Sequence, residues 1–117
     1  MGDRGNIRVI QDKGELYFYT HWTGYELPQI LAAALDRGRD RWSDAPYLSR
    51  IIFSEMIHNY VLENTGFGIS VSREDYNYDD IIVNMNDLTV TDRRGVTRMF
   101  DDYVDDWKAG TLETAEF

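Results

Sequence analysis

Leu16-Tyr17-Phe18-Tyr19-Thr20-His21-Trp22-Thr23-Gly24-Tyr25, which runs into Glu26-Leu27-Pro28, is the stretch on which the reading of this chain turns. It holds five aromatic side chains and one of the chain's two histidines, and it breaks at a glycine. Read with a period of two, Leu16, Phe18, Thr20 and Trp22 face one way, and Tyr17, Tyr19 and His21 the other. The first set suits a core. The second, aromatic with polar tips, suits a wet pocket or an interface. A two-faced strand that ends where a helix begins is the expectation.

Upstream, Ile7 to Ile10 reads as a shorter strand, and Gln11-Asp12-Lys13-Gly14 as the turn of an antiparallel hairpin with Glu15 to Trp22. Downstream, Pro28 opens a first helix whose stripe is Leu27, Ile30, Leu31, Ala34 and Leu35, capped at Gly38. A second helix starts near Ser43 or Asp44 with Pro46 in its first turn. Leu48, Ile51, Ile52, Phe53, Met56, Ile57, Tyr60 and Val61 cover most of its circumference, so it is expected to be central, with surface left for the first helix or a second subunit. Gly66 to Ser72 reads as a strand with Phe67, Ile69 and Val71 toward the core. Arg73 to Asp80 is a polar loop. Strands are expected at Asp80 to Met85, Leu88 to Thr91 and, after the Asp92-Arg93-Arg94-Gly95 turn, Val96 to Arg98. A short helix with Phe100, Tyr103, Val104 and Trp107 on one side closes the chain. The expected fold is α+β, order ββααββ(β)α: an antiparallel sheet with two central helices packed on one face and a short C-terminal helix. One domain over 1–117 is expected, with a frayed tail at 111–117.

Composition removes several classes of function. There is no cysteine, so disulfides and thiolate metal sites are excluded and a reducing cytoplasm is the natural setting. No apolar run approaches a membrane span, and the first fifteen residues are too charged for a signal peptide. The formal charge of −9 is uneven: residues 1–59 carry a net −1 and residues 60–117 a net −8. Such a field disfavours nucleic acid and anionic membranes as partners. Any anionic ligand would be met by the first half, where Arg4, Arg8, Arg37, Arg39, Arg41 and Arg50 lie.

Gly2, Arg4 and Ile7, followed by Tyr19-Thr20-His21-Trp22-Thr23-Gly24-Tyr25, resemble a widespread group of small, uncharacterised proteins found mainly in bacteriophages and mobile elements. Their pattern is roughly Met-Gly-x-Arg-x-x-Ile, a hairpin, and His-Trp-Asp-Gly-Tyr. Thr65-Gly66-Phe67-Gly68-Ile69-Ser70 extends the similarity less specifically, and Thr23 stands where the group carries aspartate. The resemblance implies a context, that of a phage accessory protein acting on host machinery or host defence in the host cytoplasm, and it implies no particular activity.

Other constellations are weaker. His21 at a strand end can be read as a general base or as one more aromatic covering a sheet face, and no nucleophile is paired with it by any motif. His21 and His58 lack the spacing of a zinc site, and Asp75-Tyr76-Asn77-Tyr78-Asp79 lacks the glycine and glutamate of a calcium loop. No metal and no cofactor are expected. The final helix's Asp101, Asp102, Asp105 and Asp106 form a solvated face or a surface for a basic host protein. The leading expectation is a non-enzymatic protein that captures a small anionic, nucleotide-like ligand, with Tyr17, Tyr19, His21, Trp22 and Tyr25 for stacking and hydrogen bonds and Arg4 and Arg8 for charge. A homo-oligomer joined through the second helix would complete the pocket. An acidic protein–protein inhibitor is the alternative, and a small hydrolase using His21 the third.

Overall fold

The hairpin is the centre of the fold in a computed structural model that describes residues 2–112. Strand β1 (Gly5–Gln11) pairs antiparallel with β2 (Gly14–Thr20), so that Ile7 meets Phe18 and Val9 meets Leu16. Ile7, Val9 and Phe18 are buried beneath the helices, while Arg8, Tyr17 and Tyr19 take the opposite face. Period-two patterning thus sorts the two faces as expected.

Helix α1 (Leu27–Arg37) has Pro28 in its first turn and buries Leu27, Leu31, Ala34 and Leu35. Helix α2 (Ala45–Met56) is capped by Asp44, whose side chain accepts from the Tyr47 N–H at 3.4 Å. Strands β3 (Phe67–Ser70), β4 (Ile81–Asn84), β5 (Thr89–Thr91) and β6 (Thr97–Met99) follow, and then α3 (Phe100–Lys108). The six strands form one sheet in the order β3-β2-β1-β4-β5-β6, with the helices on one side. The α+β class is as expected, but four strands follow the two helices, so that the order is ββααββββα, and the sheet is mixed: β1 and β4 run parallel, Ile7 beside Ile81 and Val9 beside Val83.

That parallel pair follows from the 71–80 segment, which leaves β3 at one edge of the hairpin and delivers β4 to the other. It passes over the helix-free face, where Asn6 anchors it. Asn6 is fully buried. Its amide donates to the Glu74 carbonyl at 3.1 Å and its carbonyl oxygen accepts from the Glu74 N–H at 3.3 Å. Farther along, the Arg4 N–H donates to Asn77 Oδ1 at 2.7 Å, and the Asn77 N–H donates to the Arg4 carbonyl at 2.9 Å.

Helix α2 touches the sheet, the Phe53 and Phe18 ring centres lying 5.5 Å apart, and packs against α1 as expected, while α1 also packs against α3. The length of α2 is corrected. It stops at Met56 and does not run on to Val61. Turns carry the chain back toward β3, leaving Val61 67% and Leu62 91% exposed. Phe67 and Ile69 do lie on the helix side, yet Ile69 is 57% exposed because the helix layer ends before it, and the expected strand to Ser72 stops at Ser70, so that Val71 falls in a bend and is 79% exposed. At the other end Tyr103 is buried and its hydroxyl donates to the Pro28 carbonyl at 3.0 Å, docking α3 on α1. Thr111 and Leu112 are tied by their N–H groups to the Asp106 carbonyl, and the rest of the expected frayed tail lies outside the described residues.

Two arginines of the β5–β6 hairpin set its position. Arg93, 6% exposed, donates from Nη2 to the Gly24 carbonyl at 2.7 Å and from Nε to the Asp79 carbonyl at 3.3 Å, with its guanidinium 4.2 Å from the Tyr78 ring centre. Arg98 lies between Asp92 and Asp106, at 2.8 Å from each. Burial works against the charge on Asp92, but the Arg98 guanidinium and the N–H groups of Val96 and Arg94 outweigh it and hold the carboxyl below the usual carboxylate range. Replacing Arg93 by Met removes two charge-assisted hydrogen bonds and a cation–π contact, and should cost about 2–4 kcal/mol in urea unfolding, whereas Lys13→Met at the exposed turn should stay within about 0.5 kcal/mol. The lowered Asp92 pKa contributes stability above the unfolded value of about 3.9 that is lost as pH falls through the folded value. An Asp92→Asn variant should therefore be less stable than the parent at neutral pH, and the gap should close in chemical denaturation below about pH 4.

Candidate functional site

The segment before β1 clasps the turn after β2. The Asp3 N–H donates to the His21 carbonyl at 2.7 Å, the Gly24 N–H donates to the Asp3 carbonyl at 2.8 Å, and Asp3 Oδ2 accepts from the Tyr25 N–H at 3.1 Å. Gly24 permits this approach, because a Cβ there would sit 2.8 Å from the Asp3 carbonyl oxygen. His21 is enclosed by the same clasp. Its Nδ1 is 2.9 Å from the Tyr19 hydroxyl and accepts from Arg4 Nε at 3.3 Å, while Nε2 lies where a Cβ on Gly2 would come within 2.8 Å. Since an arginine can only donate, Nδ1 is the unprotonated nitrogen and the proton sits on Nε2. A ring whose lone pair is engaged by Arg4 and Tyr19 has none to offer a substrate as general base.

The seven residues singled out from sequence divide among four places. Arg4, Tyr19 and His21 come together in the clasp. Arg8 and Tyr17 lie farther along the same face around Glu15, where Arg8 makes an ion pair at 2.6 Å and Tyr17 a 3.4 Å hydrogen bond. The bond to Glu15 raises the Arg8 pKa against the opposing effect of burial, so this charge is neutralised within the fold. Nearby, Asp80 pairs with Arg73 at 2.9 Å, and the Arg73 guanidinium stacks 3.7 Å from the centre of the Tyr76 ring. Burial pushes the Asp80 carboxyl up, although Arg73 and Arg8 pull the other way. Trp22 lies on the helix side, as the period of two predicts, with its ring 5.7 Å from Tyr60 and 5.6 Å from Phe67. Tyr25 is 48% exposed at the turn.

The free positive charge lies elsewhere. Arg37 pairs with Glu55 at 3.1 Å, and Arg39 with Asp36 at 3.1 Å and Asp101 at 2.8 Å. Arg41 and Arg50 have no carboxylate partner among the described residues. With Tyr47 and Ile51 they line an open hollow of about 390 Å³ at the start of α2, the Arg41 guanidinium 5.1 Å from the Tyr47 ring centre. Tyr47 is 55% exposed. The sequence held a signal for this. Arg50 has Pro46, Tyr47, Phe53 and Ser54 at three and four residues' distance, none of them acidic, so no helix neighbour can neutralise it.

Adjoining the hollow along α2 and sharing Arg50 with it, Leu16, Phe18, Phe53, Ile57, Val61 and Ile69 line a largely apolar groove of about 450 Å³. Ser49 also lines it, and its buried Oγ has no hydrogen-bond partner. In α3, Asp101 and Asp106 are spent on Arg39 and Arg98, which leaves Asp102 and Asp105 as its solvated charges. Among the described residues no group of three or more histidine, aspartate or glutamate side chains is placed to hold a metal ion, and no helix is long and apolar enough to cross a membrane.

No protein-family model matches the chain, and comparison with curated proteins and with solved structures finds no significant relative.

The placement of Trp22 rests on Gly66, which has φ +96° and where a Cβ would lie 2.6 Å from the indole. Gly95 has φ +87° with open space around it. Gly95→Ala should thus cost only backbone strain of about 1–2 kcal/mol, while Gly66→Ala should cost clearly more. Only the Gly66 variant should shift the tryptophan near-ultraviolet circular dichroism.

Proposed function

We propose that this protein is a non-enzymatic binding protein that takes up a small anionic ligand of nucleotide size in the hollow formed by Arg41, Tyr47, Arg50 and Ile51. One observation carries the reading. In the near-neutral half of an acidic chain, Arg8, Arg37 and Arg39 are neutralised by carboxylates and Arg4 donates to His21, whereas Arg41 and Arg50 flank an exposed aromatic ring with no acid between them. Guanidinium groups supply paired donors for phosphate or carboxylate oxygens, and a tyrosine face accepts a planar base. A hollow of about 390 Å³ lies within the range of small-molecule pockets. Asp44, which caps α2 next to this hollow, sets the register of Tyr47 through the Tyr47 N–H.

The site is thereby moved from the hairpin, where the sequence alone places it, to the beginning of α2. In the phage-like context that the N-terminal motif implies, capture of a host nucleotide would be a way to act on host defence.

Thermal unfolding with ATP, GTP, cyclic dinucleotides and inorganic pyrophosphate tests the reading. A ligand at one hundred times its Kd adds about 2.7 kcal/mol, which for a chain of this size is a rise in Tm on the order of 10 °C. At least one probe should give such a rise, and Arg41→Ala and Arg50→Ala should each abolish it while leaving the ligand-free Tm nearly unchanged. No stabilisation by any probe, or stabilisation that survives both substitutions, would sink the proposal.

A further inference from the structure

The anion hollow does not end at Arg50. That side chain lines two recesses at once: the hollow, with Arg41, Tyr47 and Ile51, and the groove of about 450 Å³ between α2 and the strands β2 and β3. Phe53 and Ile57 follow Arg50 at three and seven residues, so they continue from it along one face of the helix. Leu16 and Phe18 of β2, with Ile69 opposite Phe18 on β3, form the other wall. From Arg50 to Ile57 the rise along the helix is about 10 Å. The groove is a trough, largely apolar along its length and cationic at one end.

Two serines also line it. The Ser54 hydroxyl is engaged, donating to the Ile51 carbonyl and accepting from Arg37 Nη2, both at 2.8 Å. Ser49 differs. It stands one residue before Arg50, is 8% exposed, and its Oγ has no hydrogen-bond partner. Buried hydroxyls are seldom left so. A carboxyl or ester oxygen held next to Arg50 would supply one.

We propose that the ligand of this site is an anionic amphiphile, a phosphate or carboxylate bearing an acyl or alkyl chain, whose head lies between Arg41 and Arg50 and whose chain fills the groove. The proposal rests on the anion-binding reading of the hollow and adds the class of molecule that satisfies both recesses. An inorganic anion uses the arginines and leaves the apolar walls in water. An uncharged hydrocarbon covers the walls and leaves the arginines unused. Burying a chain contributes in proportion to the apolar area removed from water, so one molecule that does both gains from each end. A volume of about 450 Å³ is that of a small-molecule site. The ligand is a free molecule and not a bilayer, because a chain of net −9 is repelled by anionic membranes.

Isothermal titration calorimetry with methyl, butyl and octyl phosphate, each below its micellar range, tests the class. A fully buried methylene is worth about fourfold in Kd and a half-covered one about twofold. Octyl phosphate should therefore bind at least about tenfold tighter than butyl phosphate, and octanol, which lacks the head, should bind more weakly than octyl phosphate. Arg41→Ala should weaken butyl and octyl phosphate by the same factor and preserve their ratio. Ile69→Gln, at a position more than half exposed, should shrink that ratio about threefold or more. A ratio near one in the parent protein, a ratio that Ile69→Gln leaves unchanged, or octanol as tight as octyl phosphate overturns the inference. So does sedimentation of the protein with phosphatidylglycerol vesicles when octyl phosphate does not bind. The two readings fail separately: pyrophosphate bound with a flat chain-length series removes the chain and keeps the anion hollow, whereas no binding of any anion removes both.

Discussion

Asp3 ties three separate parts of the backbone with three hydrogen bonds, and the rest of the structure depends on that tie. Its N–H reaches the His21 carbonyl, its carbonyl takes the Gly24 N–H, and its carboxylate takes the Tyr25 N–H. These groups belong to the last residue before a turn and to the short 3-10 turn Gly24–Glu26 that leads into α1. Left unpaired, the buried N–H of Gly24 alone would cost on the order of 1–3 kcal/mol. Paired, the three groups fix where β1 begins and the direction in which α1 leaves the sheet. Arg93 adds a second tie to the same spot by donating to the Gly24 carbonyl from the far hairpin. Gly24 is therefore held from both sides, and the absence of a Cβ there is a requirement of packing.

Elements with strong local patterns were legible in the sequence. The β1–β2 hairpin is read from a period of two, and both helix starts from a proline in the first turn, with Asp44 as a side-chain cap for α2. Strand direction was not legible. Nothing local to residues 73–80 says on which side of the hairpin the chain returns, and that choice alone separates a mixed sheet from an antiparallel one. Asn6 decides it by offering an amide and a carbonyl to the backbone of Glu74. Asn6 is the second residue of β1 and precedes the strand expected from Ile7, so both its burial and the identity of its partner are tertiary facts. The end of α2 was hidden for a similar reason. The apolar run continues to Val61, yet the chain must turn back so that Gly66 can meet His21, and local propensity gives way to that constraint.

The residues of the proposed site were half legible. Counting arginines in the near-neutral half put Arg41 and Arg50 among six such side chains. Spacing reaches the Asp36–Arg39 pair, three residues apart, but not the pairs of Arg37 with Glu55 and of Arg39 with Asp101, which are distant in sequence. Arg50 could be read as unneutralised because its helix neighbours are apolar or uncharged. Arg41 could not, since Asp40 and Asp44 lie near it in sequence and only the structure shows that neither carboxylate pairs with it.

The aromatic stretch attracts attention for residues that serve the fold. Thr23 shows this most clearly. It is 6% exposed, and its hydroxyl meets that of Thr20 at 2.9 Å, while Thr20 also accepts from the N–H groups of Trp22 and Thr23. A position turned inward to close a four-residue turn has its hydroxyl engaged within the fold. His21 is built into the clasp by Arg4 and Tyr19, and Trp22 is seated over Gly66. The densest sequence signal has its chemistry consumed internally, because aromatic and polar groups packed into ten residues find partners in one another first. Chemistry available to other molecules is left where neighbours are too few to consume it: on the flank of α2 that the sheet does not reach, with two unpaired arginines at one end and an uncovered apolar groove along its side.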